Sequence, residues 1–225
     1  MPMNLSTFVS GHAGYSRSTD YSISIDEAGC QQLRQLMAAC RTKNHKKARA
    51  WNFGKYDGLE NTKTNCQNST ALALEAFYDI EEETQAIEAM LEGGRQLGMS
   101  AFLATTCSRD YRKTLTLIIP QETPLILADF ARLTYVLIDR LKAHGVKLRF
   151  DSTSGAITHL FHVGPESDVI FIPGPICDGK KLIRQSKREA QNLDLNRFNS
   201  VGAQAAQAQL NPPTFTQVND LFEGL

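Results

Sequence analysis

Apolar and polar positions along this chain change period several times, and each change predicts an element. Tyr21-Ser22-Ile23-Ser24-Ile25 alternates with period two inside a strand-like segment over about 5–25. Asp26 stands where a helix N-cap belongs. Cys30, Leu33, Leu36, Met37 and Cys40 then give a one-sided apolar stripe at helical spacing. Trp51 to Gly58 reads as a strand entering a turn, and residues 59–70 are polar and loop-like. The apolar run Ala71 to Tyr78 predicts a strand over 71–79, and Ile87, Met90, Leu91 and Leu97 predict a helix over 82–97 that Gly98 ends. Strands follow over 101–106 and 113–119, the second stopping at Pro120. Phe130, Leu133, Leu137 and Leu141 stripe a helix over 127–144, closed by Gly145, and a last strand is expected over 156–163.

The resulting order is β-α-β-β-α-β. It predicts an α+β fold, a ferredoxin/RRM-like split βαβ sheet with both helices on one face. Residues 1–58 form an amino-terminal α/β extension packed on it, 59–176 the core, and 177–225 a basic helix and a polar carboxy-terminal arm. That arm carries Lys180, Lys181, Arg184, Lys187 and Arg188, then a stretch rich in Ala, Gln and Asn, then an amphipathic end with Val218, Leu221, Phe222 and Leu225. The end is suited to docking on the body or on another subunit.

Composition narrows the class. The chain has 225 residues, 42% of them hydrophobic, enough for a packed core. A formal net charge of zero argues against a nucleic-acid coat protein but leaves room for local basic patches, such as residues 41–49. Five scattered cysteines without a Cys-x-x-Cys pair give no zinc site and no disulfide framework. No signal peptide and no membrane-length apolar run is present, so a soluble, cytoplasmic protein without a membrane partner is expected.

Candidate chemistry enters with Asp79-Ile80-Glu81. On a strand, residues two apart share a face, so Asp79 and Glu81 are expected to project together as ligands for a divalent metal. The plain alternative is a strand end reaching solvent, since Glu82 and Glu83 continue the acidic run. The first and third core strands are expected to be neighbours, which sets Asp79 and Glu81 beside Thr114 and Thr116, with Asp151 reaching the same edge. Three acids meeting from separate positions make a better metal site than one pair. His159 and His162 fall on opposite faces of the expected last strand, with His159 a candidate for the open face. Cys107 has no base nearby in sequence and reads as a packed residue.

The order of these motifs resembles the archaeo-eukaryotic primase superfamily, in particular the primase-like domains of plasmid and phage replication proteins. Asp79-Ile80-Glu81 is similar to its first motif. Thr105-Thr106-Cys107-Ser108-Arg109 stands where the second ends in Ser-His. Leu115 to Pro120 followed by Pro124 is similar to its strand ending in proline, and Phe150-Asp151 is placed as its third acidic motif. The resemblance covers about residues 51–165 and implies a nucleotidyl transferase making primers for plasmid or phage replication. It implies Asp79, Glu81 and Asp151 as catalytic ligands of Mg2+ or Mn2+. It implies Ser108 and Arg109 as substrate-binding residues; Arg112 and Lys113, just before the third core strand, are expected to supply the charge that strand lacks, and His159, on the open face, is expected to join them. Nucleotides, single-stranded DNA and a replication or host protein are the implied partners. Arg109 stands in place of the usual histidine and cannot give up its proton, and Thr114 and Thr116 replace basic residues. The alternative is therefore an inactive primase-like protein that binds nucleic acid or a protein partner, such as an inhibitor of a host nucleic-acid-handling complex. A generic ferredoxin-like domain is the third reading.

Overall fold

The computed structural model describes residues 2–11, 14–40, 49–107, 112–163 and 167–189. The chain divides into two compact units, Met1–Ile183 and Arg184–Leu225. In the second, the described residues 184–189 are helical. All that follows concerns the first.

That unit is built on one ten-stranded sheet. Its amino-terminal strands are β1 (Met3–Gly11), β2 (Gly14–Ile23), β3 (Arg49–Asn52) and β4 (Gly54–Tyr56). Three long strands carry the middle: β5 (Cys66–Phe77), β6 (Ala101–Cys107) and β7 (Lys113–Leu125). Three short ones complete it: β8 (Arg149–Phe150), β9 (Phe161–His162) and β10 (Val169–Ile172). The order across the sheet is β2-β1-β3-β9-β6-β7-β5-β4, with β8 also paired to β5 and β10 to β6, all antiparallel. Its helices include α1 (Glu27–Cys40), α2 (Glu83–Gln96) and α3 (Leu127–Ala143).

Alternation along the strands divides the core in two. Leu72, Leu74, Leu103, Leu115 and Leu117 pack with Met90 of α2 and with Leu133 and Leu137 of α3. Ala71, Ala73, Phe102, Ala104 and Ile118, one position out of step, pack on the other face with Cys30, Leu33 and Met37 of α1. Asp26 caps α1 as its sequence predicts, accepting the Gly29 N–H at 2.9 Å. That bond, with the Ser24 hydroxyl, holds the Asp26 carboxyl below its ordinary value.

Several expectations are corrected. The last core strand is not 156–163. Residues Ser152–Gly155 form a 3-10 turn, and only Phe161–His162 is extended, pairing with β3 and β6 rather than with β5. The strand beside β5 on that side is Arg149–Phe150. β7 runs through Pro120 to Leu125, because β5 shifts register between Ser69 and Ala71 opposite the proline, where a missing N–H is tolerated. β5 itself starts at Cys66, inside the stretch read as polar loop, and stops at Phe77.

The exit from α3 positions the site. Gly145 adopts φ +87°, its N–H bonds Lys142 O, and the Val146 N–H bonds Leu141 O, both at 3.0 Å, the Schellman pattern. Val146 is driven into the core against Gly93 of α2, where a Cβ would stand 2.4 Å from its Cγ2. The chain then surfaces at Lys147 and enters β8.

Candidate metal centre

On β5 the period-two pattern carries Ala71 and Ala73 onto Glu75 and Phe77, so one sheet face changes from apolar to polar along a single strand. Glu75 lies opposite Thr116, and Phe77 opposite Thr114. The Glu75 side chain is 3% exposed, too little for water to satisfy its carboxylate. Protein groups do so instead. Thr114 Oγ1 donates to Oε1 at 2.7 Å, and Oε2 meets His159 Nε2 at 2.9 Å. Thr106 Oγ1 contacts the hydroxyls of Thr114 at 2.8 Å and of Thr116 at 2.7 Å, so the buried polar ladder has no orphan among these four side chains.

Asp151 follows β8. Its N–H bonds Glu75 O at 2.8 Å, and its Oδ1 caps the 3-10 turn by accepting the Thr153 N–H and hydroxyl, each at 2.8 Å. Ser154, fully buried in that turn, accepts the Glu75 N–H at 3.0 Å. The Thr153 hydroxyl also lies 3.0 Å from His159 Nδ1. His159 thus touches Thr153 through Nδ1 and Glu75 through Nε2, which fixes the orientation of its ring. Asn52, buried on β3, clamps the His159 loop by donating to the carbonyls of Ile157 at 3.0 Å and His159 at 2.7 Å.

Glu75, Asp151 and His159 thus offer three ligand atoms that lie within 4.8 Å of one another, the group of this kind found among the described residues. They line a cleft of about 460 Å³ whose wall includes Tyr15, Phe77 and Arg112. Two carboxylates and an imidazole suit a divalent ion that accepts both oxygen and nitrogen, and they suit Mn2+ better than the oxygen-seeking Mg2+.

The structure does not bring Asp79 and Glu81 into this group. β5 ends two residues before Asp79, which lies in the connection, and Glu81 sits in the 3-10 turn Ile80–Glu82, so strand alternation does not govern them. Both are exposed. Asp79 lines a neighbouring cleft of about 460 Å³ with Glu82, Arg112, Lys147 and Arg149. Asp151 and His159, both singled out in the sequence, do meet; their partner Glu75 was not. Its signal is a lone acid inside the apolar run 71–76. His159 precedes β9 rather than lying on it, so it and His162 line the same cleft, with His162 Nε2 2.9 Å from the Tyr15 hydroxyl. Arg112 lines both clefts. Lys113 pairs with Glu83 at 2.8 Å, which with Tyr78 holds that carboxyl below its ordinary value. Ser108 and Arg109 lie outside the described residues. Burial, and next the Glu75 charge, push the Cys107 thiol up to about 11, which keeps it protonated and unreactive.

No family model matches the chain, and no curated protein matches it. Among solved structures, it is similar to the AEP domain of the cyanophage S-2L primase-polymerase, with 13% identity and a TM-score of 0.46, over 81% of this chain and 88% of that one. No helix among the described residues is long and apolar enough to cross a membrane.

Proposed function

We propose that this chain is a metal-dependent nucleotidyl transferase of the primase-polymerase type, making primers on single-stranded DNA for plasmid or phage replication. The observation that carries the reading is the convergence of Glu75, Asp151 and His159 in one cleft with a cationic wall beside it. The motif resemblance at Phe150-Asp151 and at Leu115 to Pro120 supports it. Glu75, Asp151 and His159 would hold the ion, which neutralises phosphate charge and acts as a Lewis acid when bound. Thr114 and Thr153 orient these ligands from behind, and burial of Glu75 keeps water from competing for its oxygens. In the transfer, a primer hydroxyl oxygen bonds to the α-phosphorus of a nucleoside triphosphate, its proton passes to solvent, and the bond from the α-phosphorus to the bridging oxygen breaks as pyrophosphate leaves. Arg112, on the wall shared by both clefts, is placed to meet phosphate.

The test is primer synthesis from labelled nucleotide on single-stranded template, with Mn2+ or Mg2+. Template-dependent product is expected, and Glu75→Gln or Asp151→Asn should abolish it. Product that persists in those variants rejects the site. The absence of product with any metal, together with salt-dependent binding of single-stranded DNA, would favour the inactive binding protein instead.

A further inference from the structure

Lys147 and Arg149 belong to none of the motifs that the sequence yields, yet strand pairing sets them beside the metal-ligating group. Arg149 is the antiparallel partner of Phe77, so the two side chains share a face. Two residues along each strand, on the same face, stand Glu75 and Asp151. The two pairs are therefore successive steps of one ladder, roughly 7 Å apart. The Arg149 guanidinium lies 4.8 Å from the Phe77 ring centre. Stacking of this kind holds the guanidinium plane while leaving its N–H edge open for bidentate contact with an oxyanion. No ion pair among the described residues engages Lys147 or Arg149. Phe77 and Arg112 form the boundary between this cleft and the one with Glu75. Among the described residues, three cations line it with the two carboxylates of Asp79 and Glu82, and of the cations Lys147 and Arg149 are set there by the strand pairing of β8.

We infer that Lys147, Arg149 and Arg112 form a subsite for a linear polyphosphate chain, the triphosphate tail of the nucleotide whose reacting phosphate sits over Glu75 and Asp151. The inference rests on the proposed function for the identity of that nucleotide. The subsite itself rests on the ladder geometry and the charge of the cleft. Arg149 is a substrate-positioning residue, and its stacked fork orients the chain where lysine would only attract it.

The experiment is calorimetric titration of the full chain with inorganic tripolyphosphate in EDTA, and separately with Mn2+ alone. Tripolyphosphate should bind without metal. The Lys147→Ala/Arg149→Ala pair should weaken it roughly tenfold or more, the scale of losing charged hydrogen bonds, with Mn2+ affinity unchanged. Arg149→Lys should recover only part of the loss. Tripolyphosphate binding indifferent to the pair, or no binding by the wild type, overturns the subsite. So does a single-stranded oligonucleotide that loses affinity in the pair while tripolyphosphate does not, which would make the cleft a backbone groove. If the wild type binds no Mn2+ but the tripolyphosphate result stands, the transferase reading fails and the subsite survives.

Discussion

The sheet face turned away from α2 and α3 has two ends made from the same three strands. At one end Ala71, Ala73, Phe102, Ala104 and Ile118 lie under α1 with Cys30, Leu33 and Met37. At the other, the same alternation presents Glu75, Thr106, Thr114 and Thr116, all buried and all hydrogen-bonded. The backbone is the same; only the side chains differ. The apolar end stabilises by removing area from water. The polar end gains little net stability from its hydrogen bonds and would lose much if any were left unmade. The buried polar ladder ends at the cleft where Glu75, Asp151 and His159 come together, and its apolar neighbour supplies the stability it lacks.

The comparison can be broken most forcefully at the apolar end. Phe102→Ala should cost about 3–5 kcal/mol of folding stability, the range for truncating a large buried aromatic. Denaturant unfolding would measure it, and the Mn2+ affinity of the folded fraction should stay as it was. Glu75→Gln keeps the shape of the polar end, so its melting temperature should move far less than that of Phe102→Ala. Its transfer activity should fall by about 100-fold or more, because loss of a supporting group alone costs about 10–100-fold. Such support is what Thr114 gives through its 2.7 Å bond to Glu75. Thr114→Val should weaken Mn2+ binding roughly tenfold and should also cost about 1–3 kcal/mol of stability, because it leaves the buried Glu75 Oε1 without its donor.

How much of this was legible in the chain differs between the same two ends. The apolar stripes of α2 and α3 and the glycines that close them could be read directly, since period and a left-handed terminator are local properties. Asp151 and His159 could be singled out as well. Glu75 could not, because its role depends on where β5 stops. A strand running to residue 79 aligns Asp79 with Glu81, whereas a strand that stops at Phe77 leaves Glu75 as the buried acid in register. The short strands β8 and β9 are not legible, because two paired residues leave no periodicity to read. Arg149 gains meaning only from its partner Phe77 across the ladder, which no local pattern reveals.

The smallest expected effect concerns α1, which covers the apolar end. Asp26 has its pKa lowered by the Gly29 N–H, so its contribution is present above the ordinary carboxylate pKa and is lost as pH falls through the lower folded value. Asp26→Ala should be less stable than wild type at neutral pH, and the two should converge in acid. Thermal melts across that pH range would show it; a constant difference would mean that the cap does not act through its charge.

The central claim is tested most directly by Mn2+ titration, followed by the loss of the free-ion paramagnetic resonance signal, on three proteins. Wild type and the Asp79→Asn/Glu81→Gln variant should bind the ion equally well, and the Glu75→Gln/Asp151→Asn variant should not bind it. Binding that survives in the last and disappears in the second would contradict the account and return the metal to the acids beyond the end of β5.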